Sequence, residues 1–275
     1  MTVAVVTDSA AALPTDLAAE WDVTVVPMWL TVGGHAELEG TRPLDALLEQ
    51  PEILTSAPTP GEFAAAIGGC LDRVDEVVVC TMAESMSATN EAARIGSAHF
   101  AGAVRVVDSR SAAGGEALVV LAAARAAAAG AAGEAVAGEA QRVAARVRLV
   151  ATVPSLDHLV RGGRVPGIAG WAGKRLGINP LFEFRDGAVR RLRPALSPDA
   201  AAERMLAQVT RSAPVGGRLH VVALHAQARP VAKALLERLA DQAPVEAFVG
   251  AFGPVMVVHT GPGLTGIAWW WDDPT

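Results

Sequence analysis

The sequence predicts an α/β fold with two domains. We expect residues 1–147 to form an N-terminal Rossmann-like domain on a parallel sheet, and residues 148–275 to form a C-terminal α+β domain with a mostly antiparallel sheet. In the first half, short continuous apolar runs alternate with Ala-rich helical segments, which is typical of parallel strands covered on both faces. After residue 147 the pattern changes to shorter helices and to hairpin signals such as Asp186-Gly187.

The N-terminal strands are predicted from Val-rich runs that end at polar residues. These runs cover residues 3–7, 23–30, 77–81 and 104–107. Helical segments are expected to start near Pro14 and to cover residues 60–70, 115–129 and 133–146. The polar, Gly-containing stretch 35–43 is predicted to be a loop.

Polar residues follow three of these strands. Asp8 and Ser9 follow the first, residues 85–89 follow the third, and Asp108 follows the fourth. Because parallel sheets bind ligands beyond the carboxyl ends of their strands, we expect these residues at one edge, with the Thr55 segment reaching it. For both aspartates the alternative is helix capping and turn formation, which we favour for Asp108.

The Thr55 segment leads into a predicted helix. Thr59 is a candidate N-cap, with Pro60 in the first helical position and Glu62 completing a capping box. A helix start carries unpaired N–H groups and a partial positive charge. Together with the Thr55 and Ser56 hydroxyls, these suit a carboxylate or a phosphate. The simpler alternative is a capped helix start without a ligand.

The C-terminal half is predicted to mix short helices with strands. Strands are expected over residues 148–153, 180–184, 188–192, 218–225, 245–248 and 267–271. Helices are expected over residues 154–160, 170–176, 198–209 and 230–240. The G-x-G-x-x-G match at 261–266 lies too close to the C-terminus for a dinucleotide-binding helix, so a tight loop before the final strand is expected there.

Composition excludes several classes of function. The formal net charge of −6 argues against a nucleic-acid partner. Cys70 and Cys80 are too few for a disulfide framework, and Cys80 is expected to be a buried thiol. The six histidines lack metal-ligand spacing, and phosphate-loop and nucleophile-elbow motifs are absent, so we expect no metal, cofactor or catalytic residue.

Charge and hydropathy patterns bear on location and partners. The first residues lack a basic region, and the long apolar stretch 117–133 is mostly Ala and contains Arg125. We therefore expect a cytoplasmic protein without an integral membrane segment. Two basic groups are expected to be solvated faces, or to receive an acidic or phosphorylated partner. They are Arg161, Arg164, Lys174 and Arg175, and Arg185, Arg190, Arg191 and Arg193.

Six motifs in order resemble the DegV family of bacterial fatty-acid-binding proteins. Residues 55–63 resemble the family's Thr-Ser-x-Pro-Ser-Pro-Gly-Glu-Phe signature, and residues 86–89 resemble its Leu-Ser-Gly-Thr. The other four matches are a strand-Asp-Ser-helix opening at 3–14, Val-Asp-Ser at 107–109, Leu-x-x-Gly-Gly-Arg-Val at 159–165 and His-Thr-Gly-Pro-Gly at 259–263. The resemblance spans nearly the whole chain.

This resemblance implies a two-domain, non-catalytic protein that buries a long-chain fatty acid and holds its carboxylate near the domain interface. Some family members present that carboxylate to a separate fatty acid kinase, in fatty acid metabolism that feeds phospholipid synthesis. Carried over by position, Thr55, Ser56 and Ser87 would hold the carboxylate. The remaining implied ligand-binding residues would lie nearby: Thr59, Ala88, Thr89, His259 and Thr260.

The sequence departs from the family pattern at several positions. Ala88 replaces the usual Gly, Asn90 replaces the usual Tyr, and a Glu84 carboxylate that pointed inward would repel the ligand head. Leu196 lies where a Val-Arg-Gly is frequent, which weakens the implied kinase contact. Two alternatives stay open: a binder of another amphipathic carboxylate or lipid without a kinase partner, and a small-molecule phosphoryl-transfer enzyme.

Overall fold

The computed structural model describes residues 1–50, 52–100, 102–163 and 178–273. In these residues the strands are β1 (Val3–Asp8), β2 (Val23–Val26), β3 (Trp29–Val32), β4 (His35–Leu38), β5 (Ile53–Ser56), β6 (Glu76–Thr81), β7 (Val104–Asp108), β8 (Arg148–Thr152), β9 (Asn179–Arg185), β10 (Ala188–Ala195), β11 (Arg218–His225), β12 (Glu246–Ala251) and β13 (Thr265–Asp272). The α-helices are α1 (Thr15–Glu20), α2 (Leu44–Leu48), α3 (Pro60–Leu71), α4 (Thr89–Ser97), α5 (Gly114–Ala128), α6 (Gly133–Ala144), α7 (Asp157–Gly162), α8 (Pro198–Arg211), α9 (Arg229–Glu237) and α10 (Pro254–Thr260). None of the described helices is long and apolar enough to cross a bilayer. The predicted helix over 170–176 lies outside the described residues.

Four parallel strands form the first sheet, in the order β2-β1-β6-β7. Every residue of β6 is buried, as its unbroken apolar sequence predicts. Helices α3 and α4 cover one face, where Phe63 and Ile67 pack against Val77 and Val79. Helices α5 and α6 cover the other face. The predicted parallel sheet is confirmed.

Residues 23–56 form more strands than the sequence predicts. The predicted run 23–30 is divided between β2 and β3, because Pro27 has no N–H to continue a ladder. The predicted loop 35–43 begins with β4, which pairs with β3 across a Gly33-Gly34 turn at φ 57° and 82°. Strand β5 pairs with the other side of β3, so Thr55 lies in a three-stranded antiparallel sheet.

Six strands form the third sheet, in the order β10-β9-β8-β13-β11-β12. Only the β11–β12 pair is parallel among these neighbours, so the predicted mostly antiparallel sheet is confirmed. Asp186 and Gly187, at φ 54° and 72°, form the predicted hairpin turn. The domain division at residue 147 remains a prediction, because one apolar core includes Val5 and Val222 from either side of it.

Helix α5 lies between the parallel sheet and the six-stranded sheet. It contacts β1 and β6 on one side and β11 and β13 on the other. Residues 114–124 are all buried, so this helix has no solvent-exposed face over three turns. Its small residues permit close approach: a Cβ atom at Gly114 would lie 2.3 Å from Val222 Cγ1 and 2.9 Å from Leu224 Cδ2.

Replacing Gly114 by Ala is expected to lower the free energy of unfolding by about 1–3 kcal/mol, because the methyl group must displace Val222 and Leu224. Gly138→Ala is the matched control, since no heavy atom outside α6 lies within 4 Å of that Cβ position. The better helix propensity of Ala should there raise the free energy of unfolding by about 0.5–1 kcal/mol. Urea denaturation measures both changes, and a stabilised Gly114→Ala variant would contradict the tight packing of α5.

Candidate ligand-binding site

A cavity of about 320 Å³ lies beyond the carboxyl ends of the parallel strands. Met28 follows β2 and Met82 follows β6, while α7 and α10 close the cavity from the C-terminal half. The residues that line it are Met28, Thr55, Ser56, Ala57, Met82, Met86, Ser87, Ala88, Leu159, Gly162, Val255, Met256, His259 and Thr260. Both halves of the chain therefore contribute to one pocket at the predicted edge of the sheet.

The eight sequence-predicted site residues divide into two groups. Those that line the cavity are Thr55, Ser56, Ser87, Ala88, His259 and Thr260. Thr59 does not: it is exposed and forms the predicted capping box, in which its hydroxyl accepts from Glu62 N and its own N–H donates to the Glu62 carboxylate. Thr89 does not line it either, because its side chain is fully buried and hydrogen-bonded to the Ser87 hydroxyl, with 2.7 Å between the oxygens.

The Thr55 hydroxyl and the His259 imidazole join the two halves of the site. Thr55 Oγ1 and His259 Nε2 are 2.7 Å apart, although 204 residues separate them in sequence. Gly162 of α7 permits this placement, since a Cβ atom there would lie 2.9 Å from His259 Nδ1. If Nε2–H donates to Thr55 Oγ1, the Thr55 hydroxyl proton is directed elsewhere and can be donated to an anion in the cavity.

The other hydroxyls differ in what they can donate. Ser87 and Thr89 form a chain of two hydroxyls, so one proton of the pair can be directed into the cavity. Ser56 is exposed at the end of β5. Thr260 Oγ1 donates to Met256 O at 2.9 Å within α10, so its hydroxyl lines the cavity without a proton to donate to a ligand.

Methionines dominate the apolar wall. Four of the six methionines in the chain line the cavity: Met28, Met82, Met86 and Met256. Unbranched thioether side chains adapt to ligands of varied shape, which suits a flexible apolar ligand. These residues were not among the predicted site residues. Met82 directly follows the predicted strand 77–81, which is an available sequence signal, whereas Met28 lies within the predicted run 23–30 and gives none.

Ala88 lines the cavity, but the other described positions that depart from the family pattern lie away from its lining. Glu84 is exposed and its charge acts on Asp108, so it does not repel a ligand head from within the pocket. Asn90 is buried, donates to Thr81 Oγ1 at 2.9 Å and accepts from Arg94 Nε at 2.7 Å. Asp108 accepts from Arg110 N at 2.8 Å, which confirms the turn role favoured for it.

Asp8 and Glu116 are fully buried carboxyl groups in the N-terminal half. Asp8 accepts hydrogen bonds at 3.0 Å from Ala10 N and from Met82 N, so it caps a 3₁₀ turn and also holds a cavity residue. Burial raises its pKa from the ordinary 3.8 to about 6. Burial, together with the Asp8 charge, raises the pKa of Glu116 well above its usual range. Glu116 accepts a hydrogen bond from Thr7 Oγ1 at 3.2 Å.

A second cavity of about 670 Å³ adjoins the first. Thr55, Gly162 and His259 line both, and the second also contains the side chains of His158 and Arg161. Arg161 Nη2 lies 3.4 Å from His158 Nε2. The rest of the predicted basic group, namely Arg164, Lys174 and Arg175, lies outside the described residues.

An apolar cavity with a few polar side chains in its lining is typical of the class of proteins that bind a small amphipathic molecule. The family model described as "Uncharacterised protein, DegV family" matches residues 2–271. A DegV domain-containing protein of Mycobacterium tuberculosis is 36% identical over 272 residues, covering 97% of this chain and 96% of the relative. One from Streptomyces coelicolor is 33% identical over 276 residues, covering 96% and 97%. The chain belongs to the DegV family.

Solved structures have the same fold. The structure described as "Fatty Acid Binding of a DegV family Protein from Thermus thermophilus" matches this chain with a TM-score of 0.90 and 29% sequence identity. The match covers 98% of this chain and 99% of that chain. A DegV family protein from Corynebacterium glutamicum matches at a TM-score of 0.85 and 25% identity, covering all of both chains. The α/β architecture is therefore that of the family.

The buried carboxyls predict a pH-dependent stability. Their pKa values in the folded protein lie above those of the unfolded chain, so the folded protein binds more protons. The free energy of unfolding should therefore fall as the pH rises from about 4 through 6 and beyond. Glu116→Gln keeps the shape but removes one ionisation. At about pH 8 we expect the free energy of unfolding of this variant to exceed that of the wild type by about 1–3 kcal/mol. Between about pH 5 and about pH 8 its free energy of unfolding should fall less than that of the wild type.

Urea denaturation at these two pH values measures the effect of Glu116→Gln. Glu139→Gln is the control, because Glu139 forms a partly exposed ion pair with Arg142, and such pairs contribute little to stability. A wild-type pH slope retained in Glu116→Gln would contradict a proton held by the buried pair.

Proposed function

We propose that this protein binds a long-chain fatty acid in the Met-lined cavity, with the carboxylate at the hydroxyls of Thr55, Ser56 and Ser87, and carries out no chemistry on it. The observation that carries the proposal is that one cavity combines a Met-rich apolar lining with hydroxyl donors and an imidazole. The Thermus thermophilus DegV family structure, which is described as one of fatty acid binding, supports the same ligand class.

The tail and the carboxylate of a fatty acid would contribute unequally to the free energy of binding. Burying about fourteen methylenes at about 0.8 kcal/mol each gives about 11 kcal/mol before the cost of ordering the chain. A hydrogen bond to the carboxylate adds about 1.5–3 kcal/mol. The tail therefore provides most of the affinity, and the hydroxyls fix where the head lies.

The cluster suits a carboxylate because two of its three hydroxyl donors are held by a second group. Thr55 is held by His259 and Ser87 by Thr89, so both hydroxyls are oriented before a ligand arrives. His259 and Thr260 come from α10, and Ala88 lets the segment before α4 approach without a bulky side chain. Thr59 supports the site indirectly, by fixing the start of α3 after β5.

We further propose that the bound carboxylate is presented to a separate fatty acid kinase. The second cavity supports this, because it reaches Thr55 and His259 from another side and carries Arg161. Such a role belongs to a cytoplasmic protein of fatty acid metabolism that feeds phospholipid synthesis. Exposed Leu196 occupies the position of a frequent family Arg, so a binder of another lipid without a kinase partner is the second candidate.

Native mass spectrometry of the purified protein is expected to show a long-chain fatty acid at about one per chain. Extraction and chemical identification of the ligand complete the measurement. A different amphiphile would support the second candidate, and ATP consumption by the purified protein alone would support a phosphoryl-transfer enzyme. A protein that is empty and ignores added fatty acid would contradict the proposal.

The double variant Ser56→Ala with Ser87→Ala is expected to bind oleate at least about tenfold more weakly, because two donors to a charged group are lost. Titration of delipidated protein measures the affinity, and thermal denaturation checks that both proteins are folded. Ser97→Ala is the control, since its hydroxyl donates to Arg94 O on α4, away from the cavity lining. Unchanged oleate affinity in the double variant would contradict the carboxylate site.

A further inference from the structure

Three cavity residues have backbone N–H groups that donate to side chains. Met28 N donates to Ser9 Oγ at 3.0 Å, and Met82 N donates to Asp8 Oδ2 at 3.0 Å. Val255 N donates to Glu39 Oε1 at 2.8 Å. The cavity wall is therefore held by a small polar network and not only by apolar packing.

Glu39 is the centre of that network. Its second oxygen, Oε2, accepts a hydrogen bond from Ser9 Oγ, the atom that holds Met28 N. Its own N–H donates to Met28 O at 2.9 Å, one residue beyond β4. Glu39, Ser9 and Met28 thus form a closed ring of hydrogen bonds, and the remaining Glu39 oxygen reaches across to Val255 in α10.

We propose that Glu39 is a positioning residue for the ligand site: it anchors the start of α10 to the N-terminal half, so that His259 at the other end of α10 meets Thr55. This inference rests on the proposed fatty acid site. Helix α10 spans Pro254–Thr260 and is about 10 Å long, so Val255, which Glu39 holds, lies only about one helical turn from His259. A shift at its first turn is transmitted to its last.

The local geometry fits an anchor. A helix of this length is not stable alone, and its first N–H groups lack partners within the helix, so a carboxylate acceptor there stabilises it. Gly253 permits the approach, because a Cβ atom at that position would lie 2.5 Å from Glu39 Oε1. Any larger residue at 253 would push the carboxylate away from Val255.

Both Glu39 oxygens are used, which predicts how substitutions differ. Ala removes both acceptors, whereas Asp keeps the charge but is one methylene shorter and cannot span from Ser9 to Val255. Gln keeps an oxygen for Val255 N, and its amide can donate to Ser9 Oγ in place of accepting from it. Gln should therefore preserve the anchor, and Ala and Asp should lose it.

The test measures oleate affinity together with the state of α10 in the ligand-free protein. Hydrogen exchange reports on the Val255 and Met28 amides, and NMR of the imidazole reports on His259. Glu39→Ala and Glu39→Asp are expected to weaken oleate binding by about tenfold or more, to speed exchange at Val255 and to shift the His259 signals. Glu39→Gln should stay within about twofold of the wild type.

Glu37→Ala is the matched control, because Glu37 lies two residues earlier in β4 and pairs with Arg42 at 2.9 Å. It should leave all three readouts unchanged. Wild-type affinity and imidazole signals in both Glu39→Asp and Glu39→Ala would overturn the inference, as would loss of affinity in Glu39→Gln equal to that in Glu39→Ala. If Glu39→Ala does not fold, Glu39→Asp and Glu39→Gln decide between these outcomes.

The two proposals fail separately. A wild-type protein that binds no fatty acid would overturn the proposed function, while the exchange and imidazole signals of the ligand-free variants still support or overturn the anchor. A wild-type protein that binds oleate, with wild-type oleate affinity and unmoved His259 signals in both Glu39→Asp and Glu39→Ala, would overturn the anchor alone.

Discussion

The burial of α5 between two sheets is the constraint on which the rest of the structure depends. A helix with no exposed face over residues 114–124 must be covered on every side, and α6 provides that cover together with β1, β6, β11 and β13. Because its surface is made largely of Ala and Gly, the sheets approach closely. This contact fixes the carboxyl edge of the parallel strands relative to the strands and helices after residue 147, and the candidate site forms there.

Several residues of the site lie just after the end of a strand. Residues after β2, β6 and β12 no longer have strand partners for their N–H groups, so side chains must supply acceptors. Ser9 accepts from Met28 N, Asp8 accepts from Met82 N, and Glu39 accepts from Val255 N. Asp8, which the sequence predicts to lie at this edge of the sheet, accepts from Met82 N and does not line the cavity, whereas Thr55, Ser56, Ser87 and His259 do.

Local signals were sufficient for much of the fold. The capping box at Thr59, the Asp186-Gly187 hairpin and the unbroken Val run of β6 each depend on neighbouring residues, and each is confirmed. The three-stranded sheet was not readable in the same way. Its strands are four residues long and two are sheet edges, so their sequences carry little hydrophobic periodicity. Glu116 was also missed, because its proximity to Asp8 arises only when α5 packs on β1.

The sequence by itself determined the fold class, the order of the main elements and the hydroxyl motifs at the edge of the parallel sheet, because these are properties of short segments. Only the tertiary structure decided which hydroxyls face the cavity. Thr55 meets His259 across 204 residues, and Ser87 lines the cavity while Thr89, two positions later, is buried behind a hydrogen bond to it. The physical reason is that side-chain direction at the end of a strand depends on what packs against it, and here that partner lies in the other half of the chain.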